Sequence, residues 1–314
     1  MAGASFGMPR SLSAVLLFLL AACAGRRPSA PVPVAFSLPD SVVVLDGSTG
    51  RSLPMDEALR RIGEADIVLL GEVHDNGTQH ALRGRLLASF GRLRPAVVFE
   101  QFAETHEPLS RPAGNAELES WLDRHGFDRR GWKWPLHRPV VEAAVAHARS
   151  IWGSGLSREA LRDVVRGGEA AAPSHLRPLL VQAPLDSASR ALLDRELITG
   201  HCGKLPAAMV EGMRAAQTTR DAAMARLLIR AADPGPSWLI AGNGHVRRDF
   251  AVPRLLRQLA PRWSVLAIGL LEREEGGALP AESSLGRYDL VLVTPRVPRE
   301  DPCAGFQVRP SGRD

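Results

Sequence analysis

The sequence predicts an α/β fold, a parallel sheet flanked by helices on both faces (α/β/α), with a smaller inserted helical subdomain. Two continuous apolar runs, 66–70 and 96–100, predict strands that are covered on both faces. A helical stretch at 79–90 lies between them, and a strand, helix and strand within about 35 residues indicate a βαβ unit with parallel strands. The middle of the chain lacks strong strands, which predicts the helical subdomain.

The other elements follow in chain order from hydrophobic periodicity and from capping residues such as Ser157. The predicted strands are 41–46, 66–70, 96–100, 150–152, 237–241, 264–270 and 288–294. The predicted helices are 55–63, 79–90, 140–149, 157–166, 186–199, 205–232 and 252–259. The stretch 104–139 is predicted to be irregular, Gly153 and Gly155 to interrupt the short strand before them, and 272–277 to form a polar turn.

The predicted boundaries follow these elements. They are a lipoprotein signal peptide at 1–22, a Pro-rich tether at 23–39, an α/β core at 40–156 and 218–297, a helical subdomain at 157–217 and a flexible tail at 298–314.

Composition limits the classes of function. The 314 residues are 45% hydrophobic and 23% charged, which are values of a globular chain with a sizeable core. The net charge of +5 comes from scattered arginines, since only two lysines are present. No basic stripe is interleaved with aromatic residues, so we expect no nucleic-acid partner.

The N-terminus has the pattern of an export signal. Arg10 precedes a short apolar run at 14–20, too short to span a bilayer, and the run ends in Leu20-Ala-Ala-Cys23. This ending resembles the lipobox of bacterial lipoproteins, and the resemblance implies a membrane anchor through lipid on Cys23. Ala24 follows the Cys instead of Asp, which favours the outer membrane of a Gram-negative bacterium, facing the periplasm. An ordinary signal peptide that contains a Cys is the alternative.

Two cysteines remain, Cys202 and Cys303. The periplasm is oxidising, so a disulfide between them can form. A pair of separate thiols is equally compatible with the sequence.

Polar residues follow three of the predicted strands. Glu72 and His74 stand in Gly71-Glu-Val-His74, Glu100 ends the next strand, and His245 closes Gly242-Asn-Gly-His245. Ligands bind outside the carboxyl ends of parallel strands, so these side chains predict one pocket. His74, Glu100 and His245 are a reasonable ligand set for a divalent metal ion. Without metal, a Glu-oriented His is a general base; the alternative is that these residues only satisfy turn amides.

Four stretches together resemble a known family. They are Gly71-Glu-Val-His-Asp-Asn76, Val97-Val-Phe-Glu-Gln101, Arg220-Asp-Ala-Ala-Met-Ala225 and Ala241-Gly-Asn-Gly-His-Val-Arg-Arg-Asp249. The chain resembles the ChaN-like haem-binding lipoproteins of the Tiki/TraB and erythromycin-esterase-like superfamily over roughly 40–295. The resemblance implies a parallel sheet flanked by helices with a smaller helical domain, haem binding in iron uptake, a homodimer and an outer-membrane haem receptor as partner.

The superfamily implies two functions for the strand-end residues. In the Tiki branch, paired Gly-x-x-His turns and a Glu are implicated in metal-dependent peptide cleavage, which corresponds to His74, His245 and Glu100. In the erythromycin-esterase branch, the Glu-x-His turn supplies a catalytic base, which corresponds to Glu72 and His74. The first hypothesis is therefore an outer-membrane haem-binding lipoprotein. The alternative is a periplasmic metal-dependent hydrolase, peptidase-like or esterase-like.

The haem ligand departs from the family pattern. The family holds haem through a Tyr, between two subunits, but the only Tyr of this chain, Tyr288, begins a predicted terminal strand. His137, at the end of a Trp-rich stretch, is a predicted iron ligand because aromatic rings suit a porphyrin face. Arg247 is a predicted partner of the haem propionates. The alternatives are that Tyr288 is a sheet residue, His137 a loop residue among core Trp side chains, and Arg247 a surface charge.

Overall fold

The computed structural model describes residues 1, 3, 36, 38–39, 41–274 and 276–305. Cys23 and nearly all of the predicted signal peptide and tether lie outside these residues. The strands are β1 Val43–Asp46, β2 Ile67–Leu70, β3 Ala96–Ala103, β4 Ser150–Gly155, β5 Ser237–Ile240, β6 Val265–Arg273 and β7 Leu290–Pro295.

The described helices alternate with these strands at first and then follow one another. They are α1 Met55–Glu64, α2 Gly77–Ser89, α3 Leu118–Arg124, α4 Arg138–His147, α5 Arg158–Gly167, α6 Arg177–Gln182, α7 Ser187–Gly200, α8 Ala207–Ala231, α9 Val252–Leu259 and α10 Glu282–Leu285. Single 3₁₀ turns lie at Gly91–Leu93, Asn115–Glu117, Gly168–Ala171 and Asn243–Val246. None of the described helices is long and apolar enough to cross a membrane.

The strands form one sheet in the order β1-β7-β6-β2-β5-β3-β4, parallel except for the β1–β7 pair. Alternation along β2 sends Val68 and Leu70 to the layer that contains α1, α2 and α4. Ile67 and Leu69 point to the opposite layer, which contains α8 and α9. Since helices cover both faces of a mostly parallel sheet, the predicted α/β/α fold class is confirmed.

Helix α8 is the main element of the predicted helical subdomain, and it also belongs to the core. The predicted boundary between residues 217 and 218 falls inside this 25-residue helix. Met224 and Leu228, in its second half, are fully buried in the layer against the sheet. In its first half, Gly212 approaches Val165 of α5 so closely that a Cβ would lie 2.2 Å from the Val165 carbonyl oxygen. The division into subdomains stays a prediction.

Two predictions of irregular structure are wrong. The sequence predicts that Gly153 and Gly155 interrupt the strand, but β4 continues through both. The reason is that β3 lies so close to β4 that glycine is needed at these positions. A Cβ at Gly153 would lie 2.0 Å from the carbonyl oxygen of Ala103, so only glycine fits this pairing. The stretch predicted as irregular, 104–139, contains the short helix α3.

The described part of the C-terminal segment contacts the body of the protein. Strand β6 extends into the first two residues of the predicted polar turn and ends at Arg273, paired with β7. The Glu272 carboxylate near its end accepts two hydrogen bonds from Arg299, at 2.6 and 2.7 Å, and Arg299 also contacts Asp75 at 2.9 Å. Cys303 forms a disulfide with Cys202. The rest of the predicted tail, from 306 onward, lies outside the described residues.

Candidate functional site

The carboxyl ends of three neighbouring strands bring the four strand-end residues to one edge of the sheet. Strand β2 lies beside β5, and β5 lies beside β3. Glu72 and His74 follow β2, His245 follows β5, and Glu100 lies within β3. The four residues form two clusters of charged side chains, with His74 between them.

The first cluster surrounds Glu72, whose side chain is fully buried. Its Oε1 accepts a hydrogen bond from His74 Nδ1 at 2.7 Å, and its Oε2 accepts one from the buried guanidinium of Arg83. His80 Nδ1 lies 3.0 Å from Oε2, and His137 Nε2 lies 3.4 Å from Oε1. Helix α2 thus contributes His80 and Arg83 to the surroundings of Glu72, and the residue just before α4 contributes His137.

Burial decides the charge states in this cluster. It lowers the pKa of His80 to about 4 and that of His137 to about 2, so both imidazoles are neutral near pH 7. His80 Nε2 donates to the carbonyl oxygen of His74 at 3.1 Å, which leaves His80 Nδ1 as an acceptor for Arg83 at 2.7 Å. Burial lowers the pKa of Arg83 to about 9, which still leaves it a cation beside Glu72.

Sequence reasoning missed His80 and Arg83 as site residues. Both are fully buried in the structure. Their spacing, i and i+3 in a helix that follows a strand-end turn, places them on one face. A His and an Arg on the face that also carries Leu87 were a detectable signal, since apolar helix faces seldom bury such side chains unpaired.

The metal-ligand geometry differs from the predicted set. Among the described residues, the group whose ligand atoms all lie within 4.8 Å of one another is Glu72, His80 and His137. The Arg83 guanidinium already contacts both Glu72 and His80, so a cation stands where a metal ion would be needed. The predicted ligands His74, Glu100 and His245 are not grouped in this way among the described residues. Glu100 and His245 contact each other and also bind further partners.

These partners make up the second cluster. Glu100 pairs with Arg220 from α8 and accepts the Gly242 backbone N–H at 2.8 Å. His245 donates from Nδ1 to Asp221 at 2.6 Å, and its Nε2 lies 3.3 Å from Glu100. The imidazole is therefore held between two carboxylates.

The carboxylates make His245 a cation. Burial lowers its pKa, but Glu100 and Asp221 outweigh burial and raise it to about 9. Burial likewise raises the pKa of Glu100, but the His245 and Arg220 charges outweigh it and hold it below its usual range. Burial keeps the pKa of Asp221 above its usual range in spite of His245. The cluster is an ion-pair network in which neither Glu100 nor His245 is a free base near pH 7.

A cavity of about 660 Å³ opens beside the second cluster. Its size lies in the range of small-molecule and cofactor sites. Its walls come from the end of β3, from the loop before α4 and from the start of α5. Glu100, Phe102, Glu104, Asp128, Trp132, Leu156, Arg158, Leu161, Pro173 and Arg220 are among the lining residues.

Comparison with known proteins gives the family. The model of a family described as "Haem-binding uptake, Tiki superfamily, ChaN" matches residues 58–256. The chain belongs to this family. A solved structure, described as "Cofacial heme binding to ChaN of Campylobacter jejuni", is 17% identical, with a TM-score of 0.63 over 81% of this chain and 96% of that chain. At this identity the likeness shows the fold alone. No curated protein matches the chain.

Three residues were predicted from the sequence to bind haem, and all three lie in the protein interior. His137 is buried in the Glu72 cluster, at 1% exposure. Arg247 is buried, pairs with Asp249 and Glu196, and stacks on a phenylalanine ring. Tyr288 is 3% exposed beneath Gly269, where a Cβ would meet its ring. The cavity wall includes none of the three, because each is held in the protein interior by other partners.

His74 is the strand-end residue that solvent reaches, with a side chain that is 52% exposed. Its ring packs edge-on against Trp132 of the cavity wall, with the ring centroids 5.0 Å apart. On another side it meets Gly242, where a Cβ would lie 2.9 Å from Nε2. Of the residues predicted for function, Glu100 lines the cavity. His74 is not part of the wall but adjoins it through its contact with Trp132.

Proposed function

We propose that this protein binds haem in the cavity at the carboxyl edge of the sheet. The observation that carries the proposal is the composition of the cavity wall. The chain also belongs to the haem-binding uptake family, which supports haem as the ligand. Phe102, Trp132, Leu156 and Leu161 supply aromatic and apolar surface of the kind that accommodates a porphyrin. A cleft of mixed polar and apolar lining at this edge has the location expected for a ligand in an open α/β sheet.

The donor set also fits haem. A porphyrin carries two carboxylates, and the planar guanidinium is the side chain best suited to pair with them. Arg220 and Arg158 line the cavity, with side chains 31% and 89% exposed. Each already contacts one carboxylate of the protein, but a guanidinium has five N–H donors, so both retain donors for a ligand.

Haem titration tests the proposal. Haemin added to the purified protein, free of any His tag, is expected to give a shifted Soret band that saturates at a defined stoichiometry. Arg158→Ala is expected to weaken binding, whereas Arg166→Ala, an exposed Arg of the same helix outside the cavity wall, is expected to bind as wild type does. An unchanged haemin spectrum up to high micromolar concentration would exclude haem binding.

The proposal extends to the place of the protein in the cell. Lipid on Cys23 would anchor the mature chain in the outer membrane, with a Pro-rich tether and the domain facing the periplasm, where it takes part in haem uptake. A homodimer and an outer-membrane haem receptor are the partners that the family resemblance implies. Cys23→Ser is expected to move the protein from the membrane fraction to the soluble fraction. Light scattering with and without haemin reports whether haem links two copies.

A periplasmic metal-dependent hydrolase is the second candidate. The placement of Glu100 at the cavity, beside His245, favours it. The charge states weigh against it, since a protonated His245 and an ionised Glu100 that is already paired offer no free base. Metal analysis separates the two functions. A wild-type protein that retains a stoichiometric divalent ion, lost in His74→Ala and His245→Ala, would support the hydrolase.

A further inference from the structure

We infer that Nε2 of His74 is the axial ligand of the haem iron in this protein, and that Glu72 positions it. The inference rests on the proposed haem function and assigns the ligand that the function requires. Tyr288, the only tyrosine of the chain, lies buried away from the cavity and cannot reach a porphyrin there.

Accessibility separates His74 from the other histidines near this edge of the sheet. His80, His137 and His245 are at most 4% exposed, and each is bound inside one of the two clusters. His175 lies near the cavity, but its Nε2 contacts Glu104 at 2.8 Å. The His74 side chain is 52% exposed and packs against Trp132 of the cavity wall.

The hydrogen bond from His74 to Glu72 prepares the ring for an iron. Nδ1–H donates to the Glu72 carboxylate, so the proton lies on Nδ1 and the lone pair lies on Nε2. Metal-binding histidines have this arrangement, in which a carboxylate on one ring nitrogen orients the ring and increases the basicity of the other. Glu72 is itself held by the buried Arg83, so the carboxylate cannot turn away easily.

The surroundings of Nε2 also favour a ligand. A Cβ at residue 242 would lie 2.9 Å from this nitrogen, so the glycine leaves space beside it.

Spectroscopy of the loaded protein tests the assignment. The wild-type ferrous complex is expected to show the iron–histidine stretching band in resonance Raman spectra, and His74→Gly is expected to lose it. Added imidazole is expected to restore an imidazole-ligated spectrum in His74→Gly. Glu72→Gln keeps an acceptor for Nδ1 but removes its charge, and is expected to lower the frequency of the band and to weaken haemin affinity by about 10–100-fold.

Two histidine variants are controls. His106→Ala, an exposed histidine, is expected to leave the spectrum as in wild type. His175→Ala tests the rival ligand, and loss of the band in this variant, with His74→Gly unaffected, would overturn the assignment. Wild-type protein that binds haemin without an iron–histidine band would also overturn it and leave haem binding intact. Wild-type protein that binds no haemin would instead end the proposed function itself.

Discussion

Oε1 of Glu72 lies 2.7 Å from Nδ1 of His74, two positions further along the chain. The turn after β2 therefore presents one exposed imidazole whose inner nitrogen is held by a buried carboxylate. Arg83, from the helix that follows the turn, contacts the other oxygen of that carboxylate. Orientation of the exposed ring thus depends on a charge pair in the protein interior.

Loss of Glu72 is expected to destabilise the fold, because Arg83 would remain buried without its charge partner. Removal of one member of a buried ion pair costs about 3–5 kcal/mol. We therefore expect Glu72→Ala to lower the free energy of unfolding by about that amount in denaturant titrations. Glu57→Ala removes an ion pair that is exposed to solvent and is expected to have a much smaller effect. Similar losses in the two variants would contradict a buried pair.

Close packing of α2 on α4 requires glycine at position 84. A Cβ there would lie 2.6 Å from the carbonyl oxygen of Pro139, a backbone atom that cannot turn aside. Gly84→Ala is expected to separate the helices and lower the melting temperature. Gly200→Ala, at a helical glycine with no atom within 4 Å of a Cβ, is expected to be neutral or to stabilise by up to about 1 kcal/mol. A stabilising Gly84→Ala would show that the helices are not in close contact.

The His245 cation makes stability depend on alkaline pH. Its pKa is raised in the folded protein to about 9 from 6.5, so its contribution is complete below pH 6.5 and is lost as pH rises through 9. Melting temperatures of wild type are therefore expected to fall between pH 6.5 and 9.5. His245→Gln lacks the titrating group, so we expect a lower melting temperature at pH 6.5 but a smaller fall across that range. An equal fall in both proteins would show that His245 is not the group responsible.

The disulfide between Cys202 and Cys303 closes a loop of 101 positions. Cross-links that close long loops stabilise by about 2–5 kcal/mol, largely by restricting the unfolded chain. Reductant is expected to lower the free energy of unfolding of wild type by an amount in that range. The double variant Cys202→Ser, Cys303→Ser is expected to start at the lower value and to be insensitive to reductant. A response of the double variant to reductant would assign the effect to another cause.

The elements of the fold were largely predictable from the sequence because each depends on a short window of residues. Ser157 and Asp186 were predicted at helix starts, and their side chains accept the expected backbone hydrogen bonds from residues three positions on. The length of β4 was underestimated, because its glycines fit only against the backbone of β3. Strand β3 is far from β4 in the sequence, so a short window of residues does not show this contact.

What the sequence determined by itself is where the site lies: polar residues after buried parallel strands meet at one edge of the sheet, whatever their partners are. What only the tertiary structure decided is which partner each residue has. Glu72 is paired with Arg83, Glu100 is paired with Arg220 and His245, and His137 is buried where a loop ligand was expected. The physical reason is that ion pairing and burial depend on how helices pack on the sheet, and Glu100 and Arg220 are 120 positions apart. Of the four strand-end residues, packing leaves His74 exposed, with its Nε2 beside Gly242.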